Sequence, residues 1–431
     1  MKEYIDFELP FGKEKISFTL DKSELAGVLR SNINSYEPPY DKYTLVKKAM
    51  EAPIGTKTLT ELAKGKKKVC LIASDHTRPV PSKIIVPLML DEIRNGNPDA
   101  DITILIATGL HRTTTKDELV YKFGEEIVKN EKIIIHDCDD TDNLVNMGKL
   151  PSGGDFVLNK IAKDADLLVS EGFIEPHFFA GFSGGRKSVL PGVCSRKTVM
   201  YNHNASFIAN DHARTGVLEN NPIHTDMLFA AKKANLAYIV NVVINAEHDP
   251  IFAVAGDAEM AHLEGVRFLS DKCRVKAQMA DIVISTNGGY PMDQNIYQAV
   301  KGMTAAEATV NEGGVIIMLA KATDCHGGVN FYNTFKNCES VDALMERFLN
   351  TPPYETSIDQ WQSQILARVM LKATVIFVSS CDDKIVENMR MIPAKTVCEA
   401  VEKARKIINK KDVRITVIPD GVSVIVEGES K

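Results

Sequence analysis

Paired cysteines are the first thing the chain lacks. Cys70, Cys138, Cys194, Cys273, Cys325, Cys338, Cys381 and Cys398 are scattered, with no CxxC among them. That spacing supports neither a zinc site nor a disulfide framework, and it suits a reducing compartment. No stretch of about 18 apolar residues occurs, so no membrane-spanning helix is expected. The opening MKEYIDFELPFGKEKISF has acidic residues where a signal peptide would carry its apolar run, which makes the cytoplasm the expected location. A basic surplus is missing too: 51 Lys and Arg against 57 Asp and Glu leave a net charge of -6. Nucleic acid is therefore not an expected partner, and an anionic substrate would need a local cluster of cations. Aromatics are sparse at 7%, yet 44% hydrophobic and 25% charged residues describe a soluble α/β protein rather than a disordered chain. A length of 431 residues suits two domains of ordinary size.

What is present has a regular grammar. Apolar runs ending in loops rich in Gly, Asp, Thr or His recur, each followed by helical periodicity, as βα units of a parallel sheet read. Six such strands are expected, at 69–74 (VCLIAS), 102–108 (ITILIAT), 167–170 (LLVS), 282–286 (IVIST), 315–320 (VIIMLA) and 375–379 (VIFVS). The two ends, LPFGKEKISFTL and ITVIPDGVSVIV, each read as two strands around a Gly turn. Charged helix-forming stretches at 257–271 and 395–409 read as connectors. The expected fold is two α/β domains with mostly parallel sheets, linked by helices, with the active site in the interdomain cleft. The expected domains are 1–268, rejoined by the terminal hairpin at 410–431, and 272–394. No internal repeat is visible.

In open parallel sheets ligands bind beyond the carboxyl ends of the strands. After VCLIAS comes DHTRPVP, with Asp75, His76 and Arg78; after ITILIAT comes GLHRTT, with His111 and Arg112. After LLVS comes EGFIEPHFFAGFSGGRKSVLPG, with His177, Arg186 and Lys187. Each residue alone has an ordinary explanation, since loop Asp residues cap helices and single histidines are commonly structural. Three such loops on one sheet edge favour a site. GFSGGRKS is not a Walker A loop, because Arg186 stands where that pattern needs Gly before the Lys. It is compatible with an anion-binding nest or with a flexible turn. His203 follows in Tyr-Asn-His, and no HExxH or paired spacing makes a self-sufficient metal site, so any metal must bring further ligands. In the second half, Tyr297, Gln298 and Lys301 are spaced to share a helix face, as donors for a carboxylate and a carbonyl or as a solvated surface. Trp361 is compatible with a pocket wall or with the core.

Taken together, SDHTRPVP, ATGLHR, LPSGGD, SEGFIEPHFFAGFSGGRKSVLPG, ISTNGGYPMDQNIYQAVKGMTAAEAT, the Asp-Gln-Trp at Trp361 and the terminal VIPDG resemble the nickel-dependent lactate racemases over nearly the whole chain. The resemblance implies a 2-hydroxyacid racemase, an isomerase, that interconverts L- and D-lactate through bound pyruvate. The implied cofactor is a nickel-pincer nucleotide, a Ni(II) pyridinium-3,5-bisthiocarboxylic acid mononucleotide attached covalently at Lys187 and made by separate maturation enzymes. His203 would be the nickel ligand from the chain. His111 and His177 match the two acid/base residues. Arg78 and Lys301 match the substrate-side cations, with Gln298, Tyr297 and Trp361 beside them, and Asp75 lies on the cofactor side. Pro176 stands before His177 where a member of the family carries serine, a departure that bears on substrate preference.

The implied chemistry suits a substrate whose α C–H is a very weak acid beside a carboxylate. Hydride removal avoids the carbanion: one histidine takes the hydroxyl proton, and return of hydride to the other face of the keto acid gives the opposite enantiomer. The competing readings are the same cofactor chemistry on malate, phenyllactate or a sugar acid, and a non-catalytic nucleotide- or anion-binding protein. An NAD-dependent dehydrogenase would need a GxGxxG after the early strands, and none is there.

Overall fold

The computed structural model describes residues 3–428, and the chain divides into two compact units. One holds the N-terminal stretch through Asn32, the Asn204–Ala209 segment and everything from Cys273 onward; the other holds Ile33–His203 and Asn210–Lys272.

The Ile33–His203 unit is built on a six-stranded sheet. Its spatial order is Pro250–Gly256, Leu236–Ile244, Leu167–Phe173, Lys68–Ser74, Asp101–Ala107 and Lys132–Ile135. All neighbours run parallel except the antiparallel pair Leu236–Ile244 and Pro250–Gly256. The apolar runs read from the sequence are the central strands, whose interior residues are buried throughout, as strands covered on both faces must be. Helix Ser82–Gly96 covers one face, placing Ile85, Val86, Met89 and Ile93 at helical spacing on the shared core with Leu71, Ile104 and Val169.

The other unit has a six-stranded sheet in which every neighbouring pair is parallel: Ile392–Ala394, Thr374–Val378, Val310–Leu319, Ala280–Thr286, Ile415–Ile418 and Leu25–Val28. The N-terminal hairpin, Tyr4–Phe11 against Glu14–Asp21, forms as expected, with Gly12 at φ 64° in its turn. Its alternation puts Phe7, Leu9 and Phe11 on one face with Phe18 and Leu20, and that face packs into the core of Ile282, Ile284, Val315 and Val417. The expectation that the chain's start belongs with the 33–268 region is therefore corrected. An alternating strand shows that it has an apolar face but not which sheet that face covers.

Two further expectations change. In the expected hairpin at 410–431, the described residues, through 428, do not pair with each other: Ile415–Ile418 pairs in parallel with Ala280–Thr286 and Leu25–Val28, and Ile425–Glu427 pairs in parallel with Arg274–Lys276. The intervening Pro-Asp-Gly turn is pressed onto the sheet end instead, with Gly421 N donating to Thr286 O at 2.9 Å. A Cβ at Gly421 would lie 2.7 Å from Ser285 Oγ. The 395–409 stretch is not a connector either. Helix Val397–Ile408 lays Val397, Ala400, Val401 and Ala404 on the sheet core of its own unit. The 257–271 stretch is helical over Met260–Cys273, with Phe268 stacked on Phe252 at 4.0 Å.

Candidate active site

In the unit built around Lys68–Ser74, chain order runs outward in both directions from the pair Lys68–Ser74 and Leu167–Phe173, which makes that pair the topological switch point. Ligands settle at such a point, beyond the carboxyl ends of the strands. The residues there are those picked out by sequence: Asp75 and Arg78 after the first strand, His111 after its neighbour Asp101–Ala107, and His177 and Lys187 after Leu167–Phe173.

Asp75 and His111 form a bonded pair. His111 Nδ1 lies 2.7 Å from Asp75 Oδ2, and the Thr77 hydroxyl donates to Asp75 Oδ1 at 2.7 Å. Asp75 is 1% exposed. Burial pushes its carboxyl up, but the His111 bond and charge, the Thr77 bond and the charge of Arg78 together hold it below the usual carboxylate value. The His111 ring itself is part exposed, with Nδ1 committed to the carboxylate. Sequence placed Asp75 on the cofactor side; the structure ties it to His111. Arg78 is exposed, and its carbonyl accepts from the buried Lys122 ammonium at 3.0 Å. Arg112 is taken up by a bidentate pair with Glu118.

His177, Lys187 and His203 gather around one ring. The His177 ring meets Phe179 edge-on at 4.5 Å, the His203 ring meets it edge-on at 5.1 Å, and Lys187 Nζ lies 5.8 Å from its centre. Lys187 Nζ is 3.3 Å from His177 Nε2, while the Ala180 amide points at His177 Nδ1 from 3.2 Å. Pro176 and His177 form a two-residue antiparallel ladder with Gly181 and Phe182. Gly184 and Gly185 then take φ of 81° and 53°, and a Cβ at Gly185 would meet the His262 ring at 2.8 Å, so the turn needs glycine there. His203 caps the end of helix Arg196–Asn202, which starts at Ser195. Burial, with the charge of Lys187 adding, pulls His203 down to about 3 and keeps its imidazole neutral, the form that binds a metal.

Three supports, Arg186 among them, owe their role to the fold rather than to a motif. Phe179 is buried and organises the cluster, yet a phenylalanine in a loop carries no motif signal. Arg186 is 1% exposed and bonds only neutral groups: Nε to His224 Nδ1 at 3.0 Å, Nη2 to Ala180 O at 2.8 Å, and Nη1 to Gly184 O at 3.2 Å and His262 Nε2 at 3.1 Å. That brace fixes the turn carrying Lys187. Glu171, buried on Leu167–Phe173, accepts from Ser74 N and Oγ, both at 2.8 Å, and from Ser82 Oγ at 3.2 Å, so it anchors the Asp75 loop. Among the described residues one further group has metal-ligand types together, Asp137, Cys138 and Asp139. Asp139 is already paired with Arg196, and burial pushes the Cys138 thiol up to about 11, so that group is a poor ligand set.

In the other unit, Tyr297, Gln298 and Lys301 do share helix Ile296–Glu307, which Asn295 caps by accepting from Gln298 N at 2.9 Å. The Tyr297 hydroxyl donates to Asp359 Oδ1 at 3.0 Å, and Gln362 donates to the Tyr297 carbonyl. Asp359, the first residue of the Asp-Gln-Trp, sits at φ 65° before helix Gln360–Lys372, and burial raises its carboxyl despite the Tyr297 bond. Trp361 is half-buried at the start of that helix. Gln298 Oε1 is buried with no hydrogen-bond partner. Asp293 is structural: its Oδ2 accepts from Gly12 N at 2.6 Å and Lys321 N at 3.1 Å.

Known proteins resemble the chain along most of its length. Residues 11–216 match the model of the lactate racemase N-terminal domain, and residues 275–426 that of the lactate racemase C-terminal domain. The chain belongs to the lactate racemase family. It is 54% identical over 422 residues to lactate racemase of Thermoanaerobacterium thermosaccharolyticum, covering 98% of this chain and 99% of that one. It is 50% identical over 424 residues to lactate racemase of Lactiplantibacillus plantarum, covering 98% and 100%. The solved lactate racemase apoprotein from T. thermosaccharolyticum superposes with a TM-score of 0.95 at 53% identity, over 98% of this chain and 100% of that one. A protein from Thermotoga maritima, with a TM-score of 0.64 at 17% identity over 91% of this chain and 100% of its own, shares the fold. Family membership and the mostly parallel α/β architecture thus stand as the sequence led one to expect. Among the described residues no helix is long and apolar enough to cross a membrane.

Proposed function

We propose that this chain is a cytoplasmic isomerase that interconverts L- and D-lactate by hydride transfer through bound pyruvate, with a nickel-pincer nucleotide attached at Lys187. The carrying observation is the cluster around Phe179, where a lysine amine, an acid/base histidine and a buried neutral histidine lie together at the switch point of a parallel sheet. The donor set fits the cofactor. Lys187 offers an amine for the covalent link, and His203 offers an imidazole that burial keeps unprotonated and able to bind Ni(II). When bound, that group supplies the hydride acceptor.

The chain's own residues do the rest. His111 and His177 exchange the hydroxyl proton of lactate, two bases being needed because the two enantiomers point their hydroxyls in opposite directions. Arg78 and Lys301 bind the carboxylate and polarise the keto oxygen, with Gln298, Tyr297 and Trp361 on the substrate side. The buried Arg186 brace and the Glu171 anchor hold the Lys187 turn and the Asp75 loop in place. Separate maturation enzymes make the cofactor and are the partners of this reading.

The test is to produce the chain together with those enzymes and measure intact mass, nickel and lactate turnover. The mass should exceed that of the chain by one pincer nucleotide, and either enantiomer of lactate should become a mixture of both. Lys187→Ala should abolish the adduct and the turnover together. Full activity in unmodified, metal-free protein would overturn the reading.

A further inference from the structure

The two histidines sit in different hydrogen-bonding surroundings. An ionised carboxylate only accepts, so a ring nitrogen 2.7 Å from Asp75 Oδ2 must carry the hydrogen. A His111 ring protonated at Nε2 instead would set its Nδ1 lone pair against that oxygen, with Asp75 buried and unable to turn to water. The Thr77 hydroxyl cannot substitute as a donor to Nδ1, because it is spent on Asp75 Oδ1 at 2.7 Å. The same bond, with the Thr77 amide at 3.2 Å, fixes the carboxylate plane from the far side. His177 is held differently: the Ala180 amide points at Nδ1, which calls for a lone pair there, and Lys187 Nζ lies 3.3 Å from Nε2.

We infer that Asp75 is a positioning residue for His111, holding the ring in the Nδ1–H tautomer so that Nε2 offers its lone pair to a substrate hydroxyl. The lock is a property of the chain before any cofactor is attached. Its kinetic consequence rests on the two-histidine reading given above. In that reading the hydroxyl O–H bond breaks, the proton passes to His111 Nε2, and the Nδ1–H···Oδ2 bond strengthens as the imidazolium forms. Loss of the lock puts the hydrogen on Nε2 in a share of molecules, and those cannot take the proton. Only the enantiomer whose hydroxyl faces His111 should be affected.

The experiment uses nitrogen-15 histidine spectra of the full chain without cofactor, at a pH where the imidazoles are neutral, with His111→Gln and His177→Gln to identify the two signals. In the parent, His111 should be in the Nδ1–H form. In Asp75→Ala it should move towards the Nε2–H form that free imidazole prefers, and the near-isosteric Asp75→Asn should also lose the fixed tautomer while keeping the parental fold. The His177 signal should stay in place in both. A His111 signal already in the Nε2–H form in the parent, or one indifferent to both substitutions, would overturn the inference. In the loaded enzyme, Asp75→Asn should slow the half-reaction of one lactate enantiomer by roughly 100- to 10,000-fold and leave the other within about threefold. A lost tautomer with both half-reactions equally slowed would count against the division of labour between the histidines, while the lock itself would stand.

Discussion

Two six-stranded, mostly parallel sheets carry very different loops at their carboxyl ends. After Lys68–Ser74, Asp101–Ala107 and Leu167–Phe173 come Asp75, His111, His177 and Lys187, all titratable, each held by a buried partner or a glycine turn. After Ala280–Thr286, the polar groups go mainly into backbone support. The Asn287 amide spans Met292 O and Gln298 O, Asp293 binds Gly12 N and Lys321 N, and Asn295 caps a helix. Beside them lie Lys301, the Gln298 oxygen, buried without a hydrogen-bond partner, and the Tyr297–Asp359 pair. The two units thus differ in the loops rather than in the sheets: one gathers titratable side chains beyond its strands, the other mainly backbone-supporting amides and carboxylates.

That contrast predicts graded consequences. The largest belongs to the reactive unit: His203→Ala should lower nickel content by more than the roughly 10- to 100-fold that loss of an outer metal partner costs, with the far-ultraviolet circular dichroism unchanged. Nickel content equal to the parent would remove His203 from the metal site. In the binding unit, Lys301→Ala should lower kcat/KM for lactate by roughly 10- to 150-fold, the size of a lost charged hydrogen bond, without changing cofactor attachment. A loss of the covalent adduct in that variant would blur the division between the units. Gln298→Met should weaken turnover while leaving denaturant stability within about 1 kcal/mol, because the Oε1 atom it removes has no hydrogen-bond partner to lose. A large destabilisation would mean that Gln298 is structural. The smallest effect is Ser195→Ala, which removes the cap of the helix leading to His203 and should cost about 1 kcal/mol by denaturant titration, with the lactate reaction retained.

Much of this site was legible because its signals are local. Asp75, His111, His177 and Lys187 each follow an apolar run closely enough that the strand ends locate them, and the runs 69–74 and 102–108 are strands Lys68–Ser74 and Asp101–Ala107. Illegible were the features that need a partner distant in sequence. Phe179 and the His224 and His262 brackets of Arg186 gain meaning only when the chain has folded back on itself. Asp359 carries a left-handed backbone that no residue type announces. At the termini the error had a different cause. The alternation of Tyr4–Phe11 and the Pro-Asp-Gly at 419–421 are true local signals, but parallel pairing with Ala280–Thr286 and burial of the hairpin's aromatic face are non-local choices that outweigh them.

The claim on which most rests is that His111 and His177 serve opposite enantiomers from loops that follow the strands on either side of Lys68–Ser74. Single-turnover spectroscopy of cofactor reduction in His111→Ala and His177→Ala, each with pure L- and pure D-lactate, tests it most directly. Each variant should keep the half-reaction of one enantiomer near the parental rate and lose the other by roughly 100- to 10,000-fold, with opposite handedness in the two variants and racemisation lost in both. Loss of the same enantiomer in both, or racemisation at the parental rate in either, would contradict the account.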